Sequence, residues 1–127
     1  MDESGKKEIT RKFSAAMSAR DLALLKTILT DDVVWSLPGS SLMSGEARGA
    51  EAVLRRAEIM HRHGVSVGIE HVVFGLKDVA QHLHNTGRYG DRVLDEYLSN
   101  VYTLREDRIC RIDTFVSDVD MLNGFFI

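Results

Sequence analysis

The stretch DDVVWSLPGSSLMSGEARGAEAVLRR, residues 31–56, decides the fold more than any other part of the chain. It contains the β-branched and aromatic run Val33–Leu37, which is typical of a strand. Pro38–Gly39 ends this strand, because proline cannot donate to a ladder and glycine permits positive φ. A polar loop, Gly45–Gly49, is followed by helix formers over Ala50–Arg62. The stretch therefore predicts strand, turn, loop and helix in that order.

Two helices are predicted before this stretch. Apolar residues recur at helical spacing over Glu8–Ala19. Asp21 can cap a second helix, Leu22–Leu29, because its carboxylate accepts hydrogen bonds from free N–H groups at a helix start. Residues 1–6 are expected to be flexible.

After the third helix the pattern changes from helical spacing to alternation of apolar and polar residues. Alternation with turn residues between the runs predicts four strands joined by tight turns. The strands are Val65–Leu76, Val79–Tyr89, Val93–Leu104 and Ile109–Ser117. Asp118 can cap a last helical turn, Met121–Phe126. Helices followed by a strand meander are typical of an α+β fold with an antiparallel sheet.

From residue 8 onward the chain resembles the nuclear transport factor 2-like superfamily, in particular its SnoaL-like and ketosteroid-isomerase-like members. The resemblance rests on the element order and on Val33–Gly39, Gly45–Gly49 and the closing ICRIDTFVSDVDMLNGFF, residues 109–126. It implies a cone-shaped, cystatin-like α+β fold in which a curved antiparallel sheet wraps around three N-terminal helices and a central pocket. It also implies a single domain over residues 1–127 and a homodimer formed through the outer sheet face.

Composition limits the classes of function. The net charge is −3 and the 16 basic residues are scattered, which disfavours nucleic-acid binding. No apolar stretch approaches the roughly 20 residues that span a bilayer. The N-terminus MDESGKKEIT has charges but no apolar core, so we do not expect it to be a signal peptide, and we expect a cytoplasmic location. The single cysteine, Cys110, excludes a metal site built on cysteines. No cofactor and no metal are predicted, and the histidines at 82 and 84 are expected to face solvent or an interface.

Alternation within the strands predicts which side chains line the pocket. On Val79–Tyr89 the odd-numbered residues are the more apolar set and should face the helices. A tight turn at Gly90–Asp91 pairs Gln81 with Asn100, and therefore Asn85 with Glu96, on this same face. The predicted pocket residues are Phe13, Trp35, Leu37, Gln81, Leu83, Asn85, Leu98, Tyr102, Ile112 and Thr114.

Two registers are possible for the last strand. A two-residue turn at Glu106–Asp107 would place Asp113 in the pocket opposite Asn100. A three-residue turn with a bulge would instead turn Ile112 and Thr114 inward and Asp113 outward, since a slip of one residue exchanges the faces. The bulged register gives the more apolar inner face and is favoured.

The resemblance argues against the best-known chemistry of the superfamily. Ketosteroid isomerase uses an aspartate base and an oxyanion hole of a tyrosine and a protonated aspartate. The corresponding positions are Leu37, Phe13 and Asn100, so the base is absent, although the amide of Asn100 can still donate to an oxyanion. The Asp-Arg-Asp set of limonene epoxide hydrolase is not matched either.

Two hypotheses for the function follow. The first is a SnoaL-like enzyme that isomerises, cyclises, hydrates or dehydrates an apolar, polyketide- or terpenoid-like metabolite. Its candidate catalytic residues are Asp113, Glu96 and Asn100. The second is a non-catalytic ligand-binding protein or a dimeric assembly module of the same fold. A buried carboxylate in the cavity would favour the enzyme, and an entirely neutral cavity would favour the binding module.

Overall fold

Four helices and six strands follow one another along residues 1–127, all of which the computed structural model describes. In chain order they are α1 (Glu3–Ala19), α2 (Leu22–Ile28), β1 (Leu29–Leu37), β2 (Gly45–Arg48), α3 (Ala50–Arg62), β3 (Ser66–Phe74), β4 (Val79–Tyr89), β5 (Arg92–Arg105), β6 (Arg108–Val116) and α4 (Val119–Phe125). The strands form one sheet in the order β2-β1-β6-β5-β4-β3. Neighbouring strands are antiparallel except for β1 and β6, which are parallel. This is the cone-shaped α+β fold that the sequence predicts.

The core lies between the helices and the inner face of the sheet. Phe13 of α1 meets the rings of Trp35 and Tyr102 edge-on, at centroid distances of 5.9 and 5.4 Å. Such pairs contribute about 0.5–1.5 kcal/mol each beyond the area they bury. They fix α1 against β1 and β5. None of the helices combines the length and the apolar character needed to cross a bilayer.

The first helix begins earlier than the sequence predicts, at Glu3 rather than Glu8. The side chain of Asp2 accepts a hydrogen bond from the N–H of Gly5 at 2.8 Å and caps the helix. Lys6 is buried, and its Nζ donates to the carbonyl oxygen of Gly75 at 3.1 Å. The start of the helix is thus held by a cap and by a contact with the β3–β4 turn. Both are polar contacts, so the spacing of apolar residues could not reveal them.

The polar loop predicted over Gly45–Gly49 contains a short edge strand, β2, which pairs with β1. Buried Arg56 of α3 explains its position, because the guanidinium donates to the carbonyl oxygens of Trp35 and Gly45, at 2.9 Å each. The guanidinium also lies 4.9 Å from the centroid of the Trp35 ring. Burial lowers the pKa of Arg56 to about 10. One side chain therefore connects α3 to both strands.

The favoured register of the last strand is confirmed. Asn100 lies opposite Thr114, and Val101 lies opposite Asp113. The register does not arise from a three-residue turn, however. Glu106–Asp107 forms a two-residue turn with φ of 51° and 64°, as in a type I′ hairpin.

The extra residue that shifts the register is Cys110. Ile109 lies opposite Leu104, whereas Arg111 lies opposite Thr103, so Cys110 has no partner between them. This bulge reverses the faces of the residues that follow it. As a result Thr114 points into the fold and the following strand residues alternate from there.

Candidate functional site

A cavity of about 670 Å³ lies between the inner face of the sheet and the helices. Its volume is in the range of small-molecule sites, and 18 of its 29 lining residues are hydrophobic, which suits an apolar ligand. Its exposed lining residues come from α1, the end of α3 and β3, so the opening lies between these elements. Val67 and Ile69 of β3 are apolar exposed residues of this lining, and Arg11, Arg20 and His61 contribute exposed polar side chains from α1, the residue after it and α3.

Most of the pocket residues that the sequence predicts do line this cavity. They are Phe13, Trp35, Leu37, Gln81, Leu83, Asn85, Leu98, Tyr102 and Thr114. The prediction that Ile112 lines the pocket is corrected by the structure, because Ile112 is fully buried in the core and is not among the residues that line the cavity. It lies opposite Tyr102 on β5 and Trp35 on β1, and these larger side chains line the cavity on either side of it.

The sequence interpretation missed several lining residues. Ser14 and Met17 of α1 lie one and four positions after Phe13, and helical spacing could have found Met17. Met43 of the β1–β2 connection and Phe126 after α4 also line the cavity. Their positions depend on tertiary packing, for which the sequence carries no local signal.

Asp113, a predicted catalytic candidate, lies outside the cavity on the outer sheet face. It accepts hydrogen bonds from Ser36 Oγ at 2.7 Å and from Arg111 Nε at 3.1 Å. Partial burial raises the pKa of Asp113, but these two hydrogen bonds and the charge of Arg111 outweigh it, so the pKa lies below its ordinary value. The bulge at Cys110 is the reason for this placement, and it makes Asp113 a partner in an ion pair.

Glu96, another candidate, lines the cavity and is only 2% exposed. Leu94 and Leu98 flank it on the inner face of β5, and no cation forms a salt bridge with it. Burial raises the pKa of Glu96 above its ordinary value. The N–H of Asp118, which donates to Oε1 at 3.1 Å, opposes this shift, and the negative charge of Asp118 adds to it. The cavity thus contains one carboxyl group that holds its proton more strongly than usual.

The cross-strand partner of Glu96 is Asn85, as the sequence predicts. Asn85 is buried and its Oδ1 has no hydrogen-bond partner. Glu96 lies directly opposite Asn85 on β5, and its carboxyl group, when protonated, has an O–H that can donate a hydrogen bond to such an acceptor. The pair therefore forms a polar end of the cavity.

A second polar group lies further along the same strands. Its members form a continuous chain of hydrogen bonds from β1 to α1. Trp35 Nε1 donates to Thr114 Oγ1 (2.7 Å), Thr114 Oγ1 to Asn100 Oδ1 (2.6 Å), Asn100 Nδ2 to the Tyr102 hydroxyl (3.3 Å), the Tyr102 hydroxyl to Gln81 Oε1 (2.6 Å), and Gln81 Nε2 to Ser14 Oγ (3.3 Å). Asn100, the third catalytic candidate, is the centre of this chain.

The outer sheet face carries the histidines that the sequence predicts there. His84 is paired with Asp95 and stacks on Tyr97 at a centroid distance of 4.3 Å. His82 lies 3.1 Å from Ser99 Oγ through its Nδ1. No group of three or more His, Cys, Asp or Glu side chains is placed to hold a metal ion.

We expect Glu96→Gln to stabilise the protein at neutral pH. The pKa of Glu96 is raised in the folded state, so its contribution to folding stability is complete below the unfolded-state pKa. This contribution is lost as the pH rises through the folded-state pKa. Glutamine keeps the acceptor for the Asp118 N–H and cannot ionise. The difference in melting temperature between variant and wild type should be near zero at about pH 4 and positive at about pH 7. Glu58→Gln, at an exposed position on α3, controls for loss of one negative charge. An equal difference at both pH values for Glu96→Gln would contradict the raised pKa.

The comparisons with known proteins agree with this fold. The family model described as SnoaL-like domain matches residues 10–112. Bal32a from a soil-derived mobile gene cassette superposes with a TM-score of 0.88 at 20% identity, over 98% of each chain. An NTF2-like protein of Burkholderia xenovorans LB400 superposes with a TM-score of 0.86 at 21% identity, over 100% of this chain and 99% of its own.

TerC, crystallised with polyporic acid, superposes with a TM-score of 0.80 at 13% identity, over 96% of this chain and 98% of its own. At these identities the solved structures establish the fold alone. No curated protein matches the sequence significantly. The family model, which covers most of the chain, identifies this protein as a member of the SnoaL-like domain family.

Proposed function

We propose that this SnoaL-like protein catalyses proton transfer on an apolar small molecule bound in the cavity. The reaction class is isomerisation, cyclisation, hydration or dehydration of a polyketide- or terpenoid-like compound. The observation that carries the proposal is Glu96, a buried carboxyl group that lines a mainly apolar cavity and pairs with no cation. Perturbed carboxyl groups in apolar clefts are typical of active sites.

Glu96 is the proton carrier in this proposal. Burial raises the pKa of Glu96 above its ordinary value, so its carboxylate is a stronger general base than a solvated glutamate and can return the proton as a general acid. The side chains beside it on β5, Leu94 and Leu98, are apolar, which strengthens electrostatic interactions at this end of the cavity. Glu96 takes a proton from an activated carbon and returns it to a second position, or to an oxygen that leaves.

Asn100 supports the negative charge that develops on the substrate. Its Oδ1 accepts from Thr114, and this fixes the amide with Nδ2 toward the Tyr102 hydroxyl. The second hydrogen on Nδ2 is free to donate to a carbonyl oxygen in the cavity. Removal of one such donor slows enzymes of known mechanism by about 10²- to 10³-fold.

The size and lining of the cavity support the substrate class. A volume of about 670 Å³ with 18 hydrophobic lining residues accommodates a molecule of several rings better than a small hydrophilic metabolite. TerC, which shares the fold, was crystallised with polyporic acid. The alternative, a non-catalytic binding module, is disfavoured by the carboxyl group, because burying it without a cation reduces stability and gives a neutral ligand no ion pair.

Solvent deuterium exchange tests the proposal without knowledge of the natural substrate. A suitable probe is 2-tetralone, an apolar bicyclic ketone with exchangeable hydrogens beside its carbonyl group. We expect the wild type in D₂O to accelerate loss of these proton signals in NMR spectra. Glu96→Gln should lower the protein-dependent rate by about 100-fold or more, since general acid–base catalysis supplies factors of this size.

Asp113→Asn is the matched control for this experiment. It removes a carboxylate from the same sheet, but on the outer face, and should exchange at the wild-type rate. Equal rates for wild type and Glu96→Gln would refute Glu96 as the proton carrier. A wild type that binds 2-tetralone but never accelerates exchange would favour the binding module.

We also infer a homodimer through the outer sheet face. Tyr97 of β5 and Phe115 of β6 are 53% and 63% exposed on this face, and Tyr97 is stacked on His84. Exposed aromatic side chains that lie close together on one surface are typical of protein interfaces. The cavity opens on the other side of the sheet, so two copies can associate without closing it.

Sedimentation velocity tests the dimer. We expect the wild type to sediment as a dimer and Phe115→Asp as a monomer, because a carboxylate in place of the exposed aromatic ring would be desolvated on association. Leu76→Asp is the control, since Leu76 is 96% exposed at the β3–β4 turn, away from this face. A monomeric wild type would rule the dimer out.

A further inference from the structure

The exposed part of the cavity lining has only basic ionisable side chains. They are Arg11, Arg20 and His61, whereas Glu96, the one acidic residue of the lining, is buried. In the whole chain, acidic residues outnumber lysine and arginine by 19 to 16, and the net charge is −3. The charge at the opening of the cavity is therefore opposite in sign to that of the protein. A cleft lined by charge of one sign attracts ligands of the other sign.

The basic side chains at the opening differ in their partners. Arg11 is neutralised by Glu8, to which its Nε and Nη2 donate at 2.8 and 2.6 Å. Arg20 and His61 form no salt bridge. The Arg20 side chain makes one hydrogen bond, from Nη1 to the carbonyl oxygen of Ser18 at 3.3 Å. Because a guanidinium has five N–H donors in a planar fork, Arg20 keeps donors for a ligand.

The backbone of Arg20 is fixed although its side chain is exposed. The residue follows α1 directly and has a left-handed φ of 53°, and its N–H donates to the carbonyl oxygens of Ala16 and Met17. These bonds end α1 and place Arg20 just before Asp21, the cap of α2. The guanidinium is thus attached to a rigid corner between two helices. A substitution of its side chain leaves these backbone hydrogen bonds in place.

The distance from the opening to Glu96 follows from the strand pairing. Val67, an exposed lining residue of β3, lies opposite Asn85, and Asn85 lies opposite Glu96. Two strand spacings of about 4.8 Å separate Val67 from Glu96, which is about 10 Å. A ligand that extends from the opening to Glu96 must therefore be about 10 Å long, the length of a few fused rings.

We propose that Arg20 binds a carboxylate group of the ligand at the opening, while the apolar body of the ligand lies inside the cavity. The single charge of a carboxylate matches the one arginine at the opening that has no acidic partner, and its two oxygens match the guanidinium fork. At the opening the carboxylate also stays in contact with water, so it avoids the desolvation that the buried end near Glu96 would impose. The ligand class is an elongated amphipathic acid.

This inference deepens the proposed function and rests on it only in treating the ligand as a substrate. The carboxylate determines the orientation of the ligand, because it stays outside and the opposite, uncharged end reaches Glu96. Arg20 shares no hydrogen bond or ion pair with Glu96, so its binding role does not depend on whether Glu96 is catalytic.

A pair of fluorescent probes that differ in charge tests the role of Arg20. Pyrenebutanoate and pyrenebutanol have the same ring system and the same linker, and their affinities can be measured by fluorescence anisotropy. We expect the wild type to bind the carboxylate more tightly than the alcohol. The ratio of the two affinities should fall about 2- to 5-fold in Arg20→Gln, the loss typical of one exposed ion pair. Arg20→Lys keeps the charge and should retain most of the preference.

Salt gives a second readout on the same probes. Raising the ionic strength from about 0.01 M to about 1 M shortens the Debye length from about 30 Å to about 3 Å, which screens exposed charges. The wild-type ratio should fall with this change, and the ratio of Arg20→Gln should fall less. Comparing ratios cancels the effect of salt on the apolar ring system, which the two probes share.

Arg55→Gln is the matched control, since Arg55 is an exposed arginine of α3 that forms no salt bridge and does not line the cavity. It removes the same charge from the protein and should keep the wild-type ratio. Equal ratios for Arg20→Gln and Arg55→Gln would overturn the carboxylate site. A wild type that binds the alcohol as tightly as the carboxylate, or that binds neither probe, would do the same.

Glu96→Gln separates this inference from the proposed function. We expect this variant to keep the wild-type preference for pyrenebutanoate even though it loses 2-tetralone exchange. Conversely, Arg20→Gln should exchange 2-tetralone at the wild-type rate, because this probe has no carboxylate. Loss of 2-tetralone exchange in Arg20→Gln would contradict the assignment of Arg20 to a carboxylate alone.

Discussion

The burial of Glu96 without a cationic partner is the constraint on which the site depends. An ionised carboxyl group in apolar surroundings is unfavourable, so the fold favours the protonated form. A single backbone N–H, from Asp118 at the start of α4, contacts the carboxyl group, and it does not offset the desolvation. The contact between α4 and the first half of β5 therefore places one backbone N–H, but no cation, beside this carboxyl group.

The bulge at Cys110 determines which side chains of β6 face the cavity and which lie on the outer face of the sheet. Because Cys110 has no partner, Thr114 joins the hydrogen-bond chain inside, and Asp113 joins Arg111 and Ser36 outside. Without the bulge the cavity would hold two carboxylates and Arg111. The present arrangement places the Asp113–Arg111 ion pair on the outer face and leaves Glu96 as the one carboxyl group among the residues that line the cavity.

Those parts of the fold that depend on local pattern were predictable from the sequence. The two-residue turn at Gly90–Asp91 set the β4–β5 register, and with it the facing pairs Gln81–Asn100 and Asn85–Glu96. What the sequence could not supply depends on distant contacts. Arg56 of α3 positions the strand β2. Ser14 joins the hydrogen-bond chain only because α1 packs against β4, where it accepts from Gln81. Ile112 was assigned to the correct face, but only the packed structure shows its neighbours covering it.

The titration of the Glu96 carboxyl group tests the central claim most directly. Carbon-13 NMR of protein labelled at the glutamate side-chain carboxyl carbons would follow it, with the signal assigned by its absence in Glu96→Gln. The account predicts that this carboxyl group titrates above the ordinary pKa of glutamate, because it is buried without a cation. A titration at or below the ordinary value would contradict the account, since Glu96 would then be a solvated or paired carboxylate.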